Sequence, residues 1–180
     1  MRKIYQTYRK DWLKFTIGWL SCFLIRLVPF RPPNVEPVLA TTMPFSKRYG
    51  AEASFLFGFL SIFLFDFFTQ KVGIWTLVTG VTYGALGLGS YFYFKKRKST
   101  PLNYLKYAVV GTIAYDALTG LTIGPLVFKM PFMVALIGQI PFTINHLLGN
   151  IVLSVVLSPA LYKWVITNEN LATDILWAKL

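Results

Sequence analysis

The stretch A-E-A-S-F-L-F-G-F-L-S-I-F-L-F-D-F-F-T, residues 51–69, decides the fold. Between Glu52 and Asp66 it carries no charge, and it is too long for a core strand. About 20 apolar helical residues cross the hydrocarbon core of a bilayer, so this length and composition read as a transmembrane helix. Working outward, further apolar blocks occupy residues 15–30, 35–46, 73–94, 102–128 and 132–166. They use up nearly all of a chain that is 55% hydrophobic with a mean hydropathy of +0.55, so no separate soluble domain fits. The expectation is one all-α integral-membrane domain over residues 1–180, with about six transmembrane helices in a single bundle. Residues 1–14 form a basic N-terminus, 15–166 the bundle, and 167–180 an interfacial tail with Trp164 and Trp177 at headgroup level.

Two blocks depart from a regular span. Block 35–46 is short and contains Pro37 and Pro44, and block 132–166 is long and expected to break at Pro141. Irregular backbone inside a bilayer is tolerated only where protein or a water-filled cavity satisfies its polar groups. Both are therefore expected to face the bundle interior and to border any site.

Charge supplies an independent check. The chain carries a formal net charge of +11, but the basic residues sit at block ends rather than in a stripe interleaved with aromatics, which argues against a nucleic-acid partner. With six spans, one set of connectors and termini holds Arg2, Lys3, Arg9, Lys10, Lys14, Lys47, Arg48, Lys95, Lys96, Arg97, Lys98, Lys106, Lys163 and Lys179. The other holds only Arg31, Lys71 and Lys129. Basic connectors stay in the cytoplasm, which puts both termini inside and the protein, multi-pass, in the cell (inner) membrane. Arg26 interrupts the first block and no small-x-small site follows, so that block is read as a retained span, not a signal peptide. The single cysteine, Cys22, supports neither a disulfide framework nor a metal site.

Polar residues within apolar blocks need a partner, an escape route or a use. In the six-span frame Arg26, Asn34, Glu36, Asp66, Trp75, Tyr83, Asp116, Gln139, Asn145, His146 and Asn150 all fall in the outer half, whereas the inner half has little beyond Glu52. One-sided polarity fits a blind pocket open to the outside better than a through-channel. His146, Asn150, Ser154 and Ser158 share one helical face by their spacing of four, either as an interhelical hydrogen-bond seam or as a pocket wall. Asp66 and Asp116 either pair with Arg26, or Asp66 lies at the headgroups beside Gln70 and Lys71, or both serve a site. Glu36, between Pro33 and Pro37, is a solvated loop charge or a rigidly held site residue. Gly80 and Gly84 form a GxxxG that favours close helix packing or partner docking.

No G-x-x-x-x-G-K-[ST] phosphate loop, HExxH or His/Cys ligand cluster occurs, so neither metal nor cofactor is expected. The segment R-L-V-P-F-R-P-P-N-V-E-P-V-L-A, residues 26–40, together with F-L-F-D-F-F and I-P-F-T-I-N-H-L-L-G-N, resembles the S components of energy-coupling factor (ECF) vitamin transporters. The likeness, to a branch with a PPN-x-x-P segment, covers roughly residues 15–165. It implies a six-helix subunit that captures a vitamin-like micronutrient from outside and works with a membrane-embedded T component and two cytoplasmic ATPases. An A-x-x-x-A docking motif common on the first helix of such proteins is missing, and Gly80 and Gly84 stand in as the expected docking residues.

Three functions follow as expectations. The first is non-enzymatic substrate capture, with Asn34, Glu36, Asp66, Trp75, Tyr83, Asp116, Gln139, Asn145, His146 and Asn150 as the binding residues. The second is an intramembrane enzyme using Asp66, Asp116 or His146. The third is a helical scaffold whose polar residues only hold helices together. The identity of the solute does not follow from these residues.

Overall fold

The computed structural model describes residues 2–32 and 34–172, with side chains from Lys10 onward. Trp177 and Lys179 of the expected tail, and Pro33 of the proline-rich segment, lie outside the described residues. Among the described residues every regular element is helical: α1 (Arg2–Leu27), α2 (Val38–Phe68), α3 (Ile74–Phe94), α4 (Pro101–Asp116), α5 (Gly124–Phe128) and α6 (Phe132–Leu161). Wider π turns, Ala117–Ile123 and Tyr162–Ile166, follow α4 and α6, and a 3-10 turn at Glu169–Leu171 comes last.

Three stretches are long and apolar enough to cross a membrane: Val38–Phe68, Pro101–Phe128 and Phe132–Ile166. The protein is thus helical with membrane-spanning character, and each of these helices leaves much of its apolar surface facing outward. Leu56, Val110, Leu126, Ile137, Leu148 and Val156 are all exposed, as side chains solvated by lipid tails would be.

The first helix begins at Arg2, well before the apolar block at residue 15, so much of the basic N-terminus is continuous with α1. It stops at Leu27 because Pro29 disfavours helical geometry at the residue before it. The first of the two blocks expected to be irregular, 35–46, is helical from Val38 through Pro44, and the break comes beyond it. Within α2, Gly50 has φ +88° and ψ −174°, which breaks the element into Val38–Tyr49 and Ala51–Phe68. A Cβ there would meet nothing within 4 Å, so the dihedral, not crowding, calls for glycine. At 1.5 Å per residue the first half reaches only about 18 Å. All of Val38–Ser46 is buried, with Thr41, Thr42 and Ser46 donating to carbonyls of their own helix.

The break expected at Pro141 is absent. α6 runs without interruption through Pro141 and Pro159. One missing N–H does not end a helix when both flanking turns are strongly apolar and no water competes for the freed carbonyl. Irregularity appears instead after Asp116, where Gly124 N–H donates to Thr119 O across a π turn and Pro125 crowds the carbonyl four residues before it.

The tightest packing joins α2 to α3. A Cβ on Gly84 would lie 2.8 Å from the Phe55 ring, one on Gly80 3.2 Å from Phe59, and one on Gly87 would overlap the Ser54 carbonyl. Of the two uses expected of Gly80 and Gly84, close packing within the chain is the one adopted, and both are buried, so neither presents a docking face. Cys22 is also sealed in the core at 2% exposure, beside Val38, Ile62 and Tyr83 in the same cluster.

Candidate functional site

The polar residues collect where the ends of several helices meet. Arg26 lies on the last turn of α1, Asn34 and Glu36 on the connector before α2, and Asp66 on the last turns of α2. Thr79 and Tyr83 come from the first half of α3, Tyr115 from the end of α4, and Phe142 and His146 from the first half of α6. Together with Ile62 they line a cavity of about 200 Å³. A second hollow of about 230 Å³ adjoins it, sharing Thr79, Tyr115 and Phe142 and adding Trp75, Thr119, Gly120 and Gln139.

The connector owes its shape to sequence. Asn34 takes a left-handed conformation at φ +64°, which Asn tolerates better than most residues, and Pro37 abuts the start of α2. Gly149 of α6 lets the connector approach, since a Cβ there would come within 2.9 Å of the Val35 Cα. Glu36 is thereby held between two arginines. Its Oε1 accepts from Arg31 Nη2 at 3.2 Å, and its Oε2 is 3.1 Å from Arg26 Nε. The Arg26–Glu36 pair is close enough for strong attraction but misaligned for a hydrogen bond, so both facing atoms lack a hydrogen-bond partner. Arg26 also lies 3.9 Å above the Phe65 ring and donates to Ser61 O at 3.4 Å. The pairing of Arg26 with Asp66 or Asp116 that the sequence left open is not the one formed.

Asp116 and His146, each 2% exposed, form a buried polar contact at the cavity, with Nδ1 and Oδ1 2.8 Å apart. The other ring nitrogen, Nε2, is 3.4 Å from the Tyr83 hydroxyl, giving a chain carboxylate–imidazole–phenol that ends at the cavity wall. A carboxylate on Nδ1 fixes the orientation of the ring and so turns Nε2 toward the Tyr83 hydroxyl. Asp116 Oδ2 is buried without a hydrogen-bond partner. Tyr115 packs edge-on to the imidazole at 5.4 Å and lies 4.5 Å from the Tyr83 ring, so aromatic faces surround the polar line.

Asp66 takes a third arrangement: Oδ2 accepts from the Thr76 hydroxyl at 2.7 Å, and that oxygen in turn accepts from Gly73 N–H at 3.1 Å. Asp66 and Asp116 therefore have separate partners and do not share a proton as a dyad. One helix turn further along α6, Asn150 donates to Thr112 at 2.8 Å, and Ser158 donates to Ala40 O at 2.7 Å. The face His146, Asn150, Ser154 and Ser158 is buried along its whole length, a wall at one end and a seam at the other.

Of the binding residues expected from sequence, Asn34, Glu36, Asp66, Tyr83 and His146 line the first cavity and Trp75 and Gln139 the second. Asp116 stands behind His146. Asn150 sits in the seam, and Asn145 is exposed on the neighbouring face of α6, lining neither hollow. Arg26, Ile62, Thr79, Tyr115 and Phe142 were not among the expected binding residues. Arg26 and Thr79 carry a polarity signal at the right depth, whereas Ile62, Tyr115 and Phe142 do not differ in kind from lipid-facing neighbours. Among the described residues no group of three His, Cys, Asp or Glu stands close enough to hold a metal ion. A further hollow of about 320 Å³ between α1 and Ala51–Phe68 is almost wholly apolar, lined by Trp19, Phe23, Leu64 and Phe68 among others.

Compared with known proteins, the chain matches no family model and no curated protein, and its fold matches no solved structure.

Proposed function

We propose that the chain is the substrate-capture subunit of an ECF-type ATP-driven importer in the cell membrane. It takes a vitamin-like micronutrient from the extracytoplasmic side and passes it inward with a membrane-embedded T component and two cytoplasmic ATPases. The observation that carries the reading is the cavity itself, in which guanidinium, carboxylate, amide, phenol and imidazole groups converge at one end of a helical bundle. Small-solute sites have this make-up: apolar and aromatic walls with a few placed polar groups.

The basic connectors gather at the opposite end, where Lys47 donates to Arg97 O at 2.7 Å and bridges two of them. With α1, Val38–Tyr49, Ala51–Phe68, α3, Pro101–Phe128 and Phe132–Ile166 as six crossings, this end and both termini are cytoplasmic and the cavity opens outward. Capture is then binding in a largely preformed pocket, with no covalent step, and energy comes from the partners, consistent with a chain that carries no phosphate loop of its own.

The test is to express the tagged chain with T component and ATPase subunits, purify it gently and weigh the assembly by native mass spectrometry. A complex of these subunits with a retained small molecule is the expected result. A chain that always emerges alone and empty refutes capture. The Asp116–His146–Tyr83 line favours a second reading, an intramembrane enzyme in which His146 moves a proton. In that case His146→Ala abolishes turnover of a bound compound, whereas under capture the compound is recovered unchanged.

A further inference from the structure

The charged groups around the cavity are unevenly partnered: two guanidiniums share one carboxylate, and another carboxylate has no cation beside it. Arg26 and Arg31 both converge on Glu36, and His146 is paired with Asp116. Asp66, which also lines the cavity, has only the Thr76 hydroxyl; among the described residues it has no cationic partner. A half-buried carboxylate that lines the cavity and has no cation beside it is open to a positive charge that arrives. The ring faces of Tyr83, Tyr115 and Phe142 share the same walls, and aromatic faces attract organic cations through their negative π surfaces. A metal ion does not fit, since its ligands would have to converge and no such trio exists among the described residues.

Resting on the capture reading, we infer that the solute is an organic cation, a protonated or quaternary nitrogen on a small, partly aromatic framework. Asp66 supplies its counter-charge, and Tyr83, Tyr115 and Phe142 supply the walls. Glu36, held by two arginines, has no negative charge to spare and acts to fix Arg26. The adjoining hollow, with Gln139 and Trp75 at its edge, receives the uncharged end of the molecule.

The test uses the full chain in nanodiscs of zwitterionic lipid and three probes of similar size: benzyltrimethylammonium, benzyl alcohol and benzoate. Binding is followed by calorimetric titration. The expected result is saturable one-to-one binding of the ammonium, with the other two weaker by about tenfold or more, the scale of one charge-assisted contact. In Asp66→Asn the ammonium falls by about the same factor, while elution and melting stay as in the parent because the carboxamide oxygen still accepts from Thr76. Asp66→Glu, which keeps the charge, restores most of the preference. Benzoate or benzyl alcohol binding as tightly as the ammonium, an unchanged affinity in Asp66→Asn, or no ammonium binding at all overturns the inference. The wild-type comparison is decisive even if the variant misfolds. A neutral or anionic solute retained by the native complex also overturns it yet leaves capture standing; a chain without solute or partners sinks capture itself.

Discussion

The two ends of the bundle both bury charge, and they do so in opposite ways. At the end with the basic connectors, Lys14 and Asp11 are 3% and 5% exposed and lie 3.1 Å apart, and Lys14 also donates to the Ile166 carbonyl at 3.2 Å. The lysine closes the end of the last helix as a C-terminal cap, while Phe15, Trp19, Phe45 and Phe57 pack in the cluster alongside. At the other end Asp116 and His146 are as deeply buried and Arg26 and Glu36 partly so, but a void lies among them and Arg26 Nε, Glu36 Oε2 and Asp116 Oδ2 lack aligned hydrogen-bond partners. A buried ion pair with its hydrogen bonds made belongs to the architecture. One with a cavity and spare valences is prepared for something that arrives later.

That contrast can be broken by substitution. The largest effect is expected at the closed end: Lys14→Ala leaves Asp11 uncompensated and should lower stability by about 3 kcal/mol, seen as a drop in melting temperature in detergent, with solute affinity at the other end unchanged in the fraction that folds. Replacing both, as Asp11→Leu with Lys14→Met, should recover most of the loss, because an apolar pair substitutes for a buried ion pair at little cost. An intermediate effect is expected at the open end. Asp116→Asn removes the charge that holds His146 and should weaken solute retention by about tenfold, measured by titration, while melting shifts by less than for Lys14→Ala. Should Asp116→Asn melt as badly as Lys14→Ala and bind solute normally, the open end is architecture too. The smallest effect is expected from Gly120→Ala, whose Cβ would overlap the Gln139 carboxamide. Gln139 is a flexible, half-buried side chain that can swing away, so stability should move by under about 1 kcal/mol, while affinity for longer solutes falls a few-fold as the second hollow narrows.

Much of the architecture was legible in the sequence because its cues are local. Blocks 73–94, 102–128 and 132–166 match Ile74–Phe94, Pro101–Phe128 and Phe132–Ile166 almost residue for residue, since glycine, proline and charge mark the ends of each apolar run. The gap between blocks 46 and 51 likewise anticipates the break at Gly50. What was not legible depends on the rotation of one helix against another. The contact of His146 with Asp116, and the choice of Glu36 over two aspartates by Arg26, are set by where the helices place those side chains around the bundle axis. The π turns after Asp116 add to that uncertainty, because each shifts the register of every later residue. Tyr115 and Phe142 escaped for a different reason: a search for misplaced polarity passes over aromatic walls.

Cys22 gives the molecule a practical property. The chain has one thiol and it is shut inside the core, so the native protein already serves as its own unreactive background for sulfhydryl labelling. A single cysteine introduced at Lys71, Lys98 or Lys129, all on connectors, would be the one site open to a membrane-impermeant maleimide, and intact cells would then report, loop by loop, which side of the bilayer each connector faces.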